Sequence, residues 1–283
     1  MKKLFALLGA IALIVASSSV SWSQPKGGET TVRVAGADSM FYRVKLRAKL
    51  FTKANPSVKI DVSQGGTMDS GIRALIEGQA DLAMASCVLL PEEDKLAAEK
   101  RVKLVERVIG YGGITVVVNS DTGVDSLCVD DVRKLMVGEY ANWKQVGGAD
   151  LPVKVVRTDA RHPGTLAFLE RDFLRKSFAP HAIVVSSFPS VVATVADTPG
   201  AIGYVRIREA SESPVVKSNP RVKVVPIARS ASTIPVMPSR KAVEDQSYCL
   251  VRPYLVYYLS TAKPEAVEFA DYLVKKGWGA QDL

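Results

Sequence analysis

Gly71-Ile72-Arg73-Ala74-Leu75-Ile76-Glu77-Gly78-Gln79-Ala80-Asp81-Leu82-Ala83-Met84-Ala85-Ser86 is the stretch that decides the fold. It predicts a short amphipathic helix, Ile72 to Glu77, capped by Asp69 or Ser70 and stopped by Gly78. A short apolar strand follows at once, Leu82 to Ala85. Helix then strand, with no hairpin signal between them, is half of a unit that builds parallel sheets.

The unit recurs on both sides. Thr31 to Ala35 predicts a first strand, and Asp38 or Ser39 caps a helix through Phe41, Val44, Leu46 and Leu50 that Asn55-Pro56 ends. Val58 to Val62 alternates as a second strand. Downstream, Ile109 to Asn119 is a long apolar strand, long enough to carry the chain from one lobe to another. Helices are expected at Ser126 to Val137, Thr165 to Arg175 and Val191 to Ala196. Strands are expected at Val153 to Val156, Ala201 to Val205, Arg221 to Ile227 and Leu250 to Tyr258. Pro264 suits the first turn of a last helix, Glu265 to Lys276, with Gly277 as its stop. The fold class is α/β.

Met1-Lys2-Lys3, an apolar run from Leu4 to Ala16 and the small residues through Ser23 read as a secretory signal peptide cut after Ser23. The apolar run is shorter than the roughly 20 residues a membrane-spanning helix needs. No Cys follows it to carry a lipid. The chain has 37 Lys+Arg and 29 Asp+Glu, and a net charge of +8. A positive field favours anionic partners. Nucleic acid is not expected among them, because no zinc-finger spacing and no arginine-rich helix is present. Cys87, Cys128 and Cys249 are an odd number at wide spacing, fit no metal motif and read as small buried side chains.

Four segments share one design, in which a strand ends and a loop of small or polar residues leads toward a helix. They are Gly36 to Met40, Gly65 to Gly71, Ala85 to Cys87 and Arg157 to Thr165. Open parallel sheets bind ligands at the carboxyl ends of their strands, and helix N-termini suit anions. Arg157 is the favoured side chain to balance a bound dianion, and Arg161 is either a second one or a solvated surface residue. Asp38 either caps its own helix or accepts a ligand proton, whereas Asp69 reads as a cap. His162 reads as a surface-loop histidine.

These loops carry a resemblance. Gln64-Gly65-Gly66 with Gly71 to Ser86, Asp130 to Gly138 followed by Asn142-Trp143-Lys144-Gln145-Val146-Gly147-Gly148, Thr198-Pro199-Gly200-Ala201-Ile202-Gly203-Tyr204-Val205, and Leu250-Val251-Arg252-Pro253-Tyr254-Leu255 are similar to motifs of the phosphate-type family of periplasmic solute-binding proteins. The resemblance spans nearly the whole mature chain. It implies two α/β lobes joined by a hinge, a small oxyanion (phosphate first) gripped between them, and delivery to an ABC permease by a monomeric protein in the periplasm or outside the cell. The sequence shows no nucleotide-binding Gly-rich loop and no His/Cys metal cluster, so no cofactor or metal is expected, and no catalysis is expected either. By position the resemblance assigns ligand contacts to Ala37, Asp38 and Ser39, to Ser70 and Gly71, to Ser86 and Cys87, and to Arg157, Gly164 and Thr165. The division expected is 1–23 signal peptide, 30–112 first lobe, 113–220 second lobe and 221–283 a return to the first lobe.

Four positions depart from the family's pattern. Met68 stands where a ligand-binding Ser is usual, Asp69 where Gly is common, Cys87 where phosphate binders often carry Asp, and Pro163 where Ser is expected. They leave room for a sensory or binding module without a permease, tuned to another ligand. An enzyme using Cys87 and His162 as nucleophile and base lacks any orienting third group.

Overall fold

The structure, a computed structural model, describes residues 28–160, 163–212, 216 and 219–277. The expected signal peptide lies outside the described residues, as do Arg161 and His162. In the first lobe β1 (Thr30–Gly36) lies between β2 (Val58–Val62) and β3 (Leu82–Ala85), all parallel. Helices α1 (Asp38–Ala54), α2 (Met68–Ile76) and α3 (Pro91–Glu99) follow β1, β2 and β3 in turn. Successive residues of β3 go to opposite faces. Leu82 and Met84 join Val34, Met40 and Phe269 in one core, while Ala83 and Ala85 join Ile72 and Leu75 in another. Both faces are covered, which is why residues 82–85 are apolar without alternation.

Two long strands tie the lobes together. β4 (Leu104–Asn119) and β11 (Val251–Leu259) run antiparallel beside β3. Ile109 packs in the first lobe's core and Ile114 in the second's. On the return path Leu250 belongs to the second core and Tyr254 to the first. The register slips between Tyr254 and Leu255, opposite Gly110, whose φ is +155°. In the second lobe the end of β4 pairs with β8 (Ala201–Arg206), and β6 (Lys154–Thr158) and β7 (Ile183–Val185) extend the sheet. The order is β2-β1-β3-β11-β4-β8-β6-β7, with β9 (Val222–Val224) on the end of β4. This is the expected two-lobed α/β architecture.

Several boundaries differ from the sequence reading. Leu127 and Cys128 form a short strand, β5, that pairs with β10 (Ile227–Ala228), so α4 starts at Val129 and ends at Val137. The strand expected at 221–227 is broken into β9 and β10 around Val225-Pro226, because Pro lacks the N–H that a ladder needs. The helix expected from Thr165 starts at Pro163 as α5 (Pro163–Ala167) and widens into π-helix over Phe168–Leu174. The return to the first lobe expected at 221 comes near Val251–Tyr254 instead. Val222, Ile227, Val243 and Tyr248 all pack in the second core, Val243 from the short helix α8 (Arg240–Glu244). The remaining helices are α6 (Phe188–Asp197), α7 (Ile207–Glu212) and α9 (Pro264–Lys276), the last starting on Pro264 and stopping at Gly277 as expected.

Two of the quoted motifs are scaffold. Trp143 is fully buried and its indole N–H donates to the Gly200 carbonyl at 2.9 Å. Gly200 has φ +76°, and a Cβ there would lie 2.3 Å from the Pro152 carbonyl oxygen. The Asn-Trp and Pro-Gly segments thus lock onto each other.

Asp81 fastens the start of β3. Its carboxylate accepts from the Arg33 amide at 2.7 Å and from Arg33 Nε at 3.1 Å, and pairs with Lys263 Nζ at 3.1 Å. Burial pushes this carboxyl up, but Arg33 and Lys263 outweigh it and hold it below its ordinary value of 3.8. A depressed folded-state value means stabilisation that is present above the unfolded value and is lost as pH falls through the folded one. Asp81→Asn is expected to lose about 1–3 kcal/mol at pH 7. The deficit relative to the parent chain should vanish in urea melts taken in strong acid.

Candidate functional site

A cleft of about 1300 Å³ runs between the lobes, walled by the ends of β1 and β3, the start of α5 and the crossing strands β4 and β11. Three glycines bring the first lobe's loops together. A Cβ on Gly71 would sit 2.4 Å from the Gly36 Cα, and one on Gly66 2.8 Å from the Gly36 oxygen. Gly36 itself has φ +123°, with the Met84 carbonyl oxygen 2.3 Å from where a Cβ would be. The N-terminus of α2 therefore packs directly on the end of β1.

The structure brings Ala37, Asp38, Ser39, Ser86, Cys87, Gly164 and Thr165 to the cleft wall. It leaves Ser70, Gly71 and Arg157 out of that wall. Ser70 is spent on a capping box: its hydroxyl accepts from the Thr67 amide at 2.9 Å, and the Thr67 hydroxyl accepts from the Ser70 amide at 3.2 Å. Thr67, not Asp69 or Ser70, is the cap of α2, and Asp69 is exposed at the cleft. Gly71 is buried against Gly36. Arg157 lies within β6 between two buried residues, Val156 and Thr158, and its Nη1 donates to the Thr158 carbonyl at 3.1 Å. Neither Asp38 nor Ser39 caps α1, whose cap position is Ala37. The Asp38 carboxylate instead accepts from the Gly65 amide at 2.9 Å and ties the first two loops together.

The cleft also has a charged residue that lies in a strand and not in a loop. Arg252, on β11, is 1% exposed, and so is Ser86. Arg252 Nη2 donates to the Tyr254 hydroxyl at 3.3 Å. Arg252 Nη1 and the Ser86 hydroxyl are both buried with no hydrogen-bond partner among the described residues. They meet at Gly164: a Cβ there would lie 2.7 Å from Ser86 Oγ and 3.7 Å from Arg252 Nη1. The first N–H groups of a helix have no partner within it, and after Pro163, which has none, the Gly164 and Thr165 amides start α5 beside the same point. Two buried polar groups without a partner among the described residues and a helix start converge where the lack of a Cβ on Gly164 permits the close approach.

The surrounding field is positive. The described wall holds six arginines and one lysine against four carboxylates. Tyr254 registers this field. Burial pushes its hydroxyl up, yet Arg252, with Arg206 and Arg43 beyond it, overcomes burial and holds the phenol below its ordinary value. Cys87 behaves differently. Its thiol turns into the first-lobe core and donates to Met68 Sδ at 3.2 Å, and burial pushes it up, away from thiolate. No helix among the described residues is long and apolar enough to cross a membrane.

A two-lobed sheet protein with its functional groups in the gap between lobes belongs to the class that closes on small ligands. Residues 23–276 match the family described as the PBP superfamily domain, and the chain belongs to that family. Among relatives, the phosphate-binding protein PstS of Bacillus subtilis strain 168 is 29% identical over 262 residues, covering 91% of this chain and 79% of that protein. PstS of Staphylococcus haemolyticus is 29% identical over 216 residues, and the match spans 65% of its length, just under two thirds. Among solved structures, an ABC-type phosphate transport receptor from Vibrio cholerae matches with TM-score 0.68 at 25% identity, covering 86% of this chain and 93% of that one. PstS from Borrelia burgdorferi has TM-score 0.69 at 20% identity, covering 87% and 92%, and speaks to the fold alone.

Gly71→Ala tests the packing that assembles the loops. Its Cβ meets backbone rather than a side chain that can swing away, so the loss should be about 1–3 kcal/mol. Gly36→Ala adds a strained φ to a closer clash and should lose more. Urea denaturation of the two variants checks both the sign and the order.

Proposed function

We propose that this chain captures phosphate, or a closely related tetrahedral oxyanion, between its lobes and hands it to an ABC permease. The observation that carries this reading is the pair of buried, unpartnered groups, Arg252 Nη1 and Ser86 Oγ, facing one space at the start of α5. An anion there receives a guanidinium, a hydroxyl and the amides of Gly164 and Thr165, which together replace its hydration shell. Asp38 and Ser39 edge the same cleft from the start of α1. The curated relatives named for phosphate binding and the phosphate transport receptor fold support the choice of phosphate.

In this reading the protein works outside the cytoplasm after residues 1–23 are removed, acts as a monomer and binds without turnover. Transport logic fits the charge: a net positive chain with a basic cleft speeds capture of a dilute anion.

Titration calorimetry with phosphate, sulfate and molybdate tests the proposal. Phosphate should release heat with one-to-one stoichiometry. Arg252→Gln should weaken it by at least about thirtyfold, the low end for truncating one side of a buried charge-assisted pair. Ser86→Ala should weaken it about tenfold. Circular dichroism establishes that both variants fold. No heat with any of the three anions, or an unchanged dissociation constant in folded Arg252→Gln, would overturn the reading.

A further inference from the structure

We propose that Arg171 is a latch between the lobes, holding them together in the ligand-free chain and so setting how much closure a ligand must drive. Arg171 belongs to the second lobe. It sits on the π-helical turn whose Phe168, Leu169, Phe173 and Leu174 are all in the second core. Its guanidinium is aimed by its neighbour: Nε donates to Asp172 Oδ1 at 2.7 Å and Nη2 to Asp172 Oδ2 at 2.9 Å. The same Nη2 then crosses the cleft and donates to the Val88 carbonyl at 3.0 Å, in the loop that follows β3 of the first lobe.

Three features make this a device rather than a passing surface contact. First, the two-pronged pair fixes the guanidinium plane before it meets the other lobe, so little rotamer freedom is lost on latching. Second, the side chains of Arg171 and Asp172 are only 26% and 25% exposed, so the pair that aims the guanidinium is partly shielded from solvent while its bond to Val88 lies at the exposed edge of the cleft. Third, the contact lands one residue beyond Cys87 and two beyond Ser86. Those positions line the cleft, and the Arg171 charge is felt at the Cys87 thiol, where it opposes the upward push of burial. Single-turn π-helical segments occur at functional sites because the widened turn re-aims side chains. Here the turn carries the adjacent Arg–Asp pair on the wall of the second lobe that faces the first.

The consequence is a population shift. When the binding-competent form is a fraction of the ensemble, apparent affinity falls by that fraction. A latch raises the fraction without touching the ligand. Arg171→Gln should therefore open the ligand-free chain and weaken anion binding together.

Cys87 reports on this directly, because it is 3% exposed, with its thiol packed on Met68 immediately before the Val88 carbonyl that Arg171 holds, so release of that loop uncovers it. Alkylation of the full folded chain is followed by peptide-resolved mass spectrometry, which separates Cys87 from Cys128 and Cys249. Without phosphate, Arg171→Gln should label Cys87 about tenfold faster or more, the effect of losing a hydrogen bond from a charged donor. Its radius of gyration in X-ray scattering should rise in parallel. Asp172→Asn, which keeps the charge but loosens its aim, should shift both readouts the same way by less. Unchanged Cys87 labelling and radius in both folded variants would overturn the latch. Because these comparisons are made without ligand, they stand apart from the phosphate reading. Adding inorganic phosphate to Arg171→Gln should slow the labelling again, and failure to do so would count against phosphate binding while leaving the latch to the ligand-free rates.

Discussion

A buried guanidinium with an unpartnered nitrogen is the constraint around which the cleft is organised. Arg252 is 1% exposed, its Nη2 donates to the neutral Tyr254 hydroxyl, and its Nη1 has no hydrogen-bond partner among the described residues. Burying a charge is costly unless it is paired and hydrogen-bonded. The other residues of β11 are Val251, Pro253 and the apolar or aromatic run from Tyr254 to Leu259, so nothing on the strand itself neutralises it. The compensation comes from position. Arg252 pairs with Gly112 of β4, at the point where one lobe's core ends and the other begins. A Cβ on Gly112 would lie 2.6 Å from the Tyr254 hydroxyl oxygen, so this glycine makes the room that lets Tyr254 reach Arg252. Such a charge is stabilised by an anion and by the closing of both lobes around it.

That location joins chemistry to motion. β4 and β11 are the strands that run from one core to the other, and their register slips beside Arg252. An anion that neutralises Arg252 therefore acts on the crossing itself, not on one lobe alone. Arg171 acts at the opposite wall, where the π-helical turn meets the loop after β3. Ligand and latch are two independent biases on one equilibrium, and each shifts it only by its own preference for the closed form.

Much of this architecture was legible in the sequence. Helix and strand periodicity located most elements, and the loops at Gly36, Gly65, Ala85 and Gly164 do line or build the cleft. α3 was passed over, although Pro91 at its first turn and Glu92, Glu93 and Asp94 behind it are a readable start signal. Spacing to Gly164-Thr165 suggests Arg157 for the cleft, but strand alternation keeps it out. Val156 and Thr158 are buried on one face of β6, which sends Arg157 to the other. Arg252 sits in a strand, outside the loops where the sequence places ligand groups. An arginine within an otherwise apolar strand, with no acid nearby in sequence, was the signal. The return boundary is not legible in the sequence because β9, β10 and α8 are short, and their packing decides which lobe owns them.

Strand geometry also decides what the third loop contributes. Ala83, Ala85 and Cys87 alternate onto one face and share a core with Met68, Ile72 and Leu75. Ser86, between them, must point to the opposite face, where Gly164 and Arg252 wait. Ser86 and Cys87 therefore cannot serve the ligand equally, although both border the cleft. The two departures at Met68 and Cys87 explain each other: a thioether and a thiol, in contact at 3.2 Å, fill a wall position that a carboxylate would have to leave hydrated or paired. In the proposed reading, recognition falls to the hydroxyl, the guanidinium and the helix-start amides, all of which can donate. A site made of donors selects for negative charge first and for the shape of the ion second.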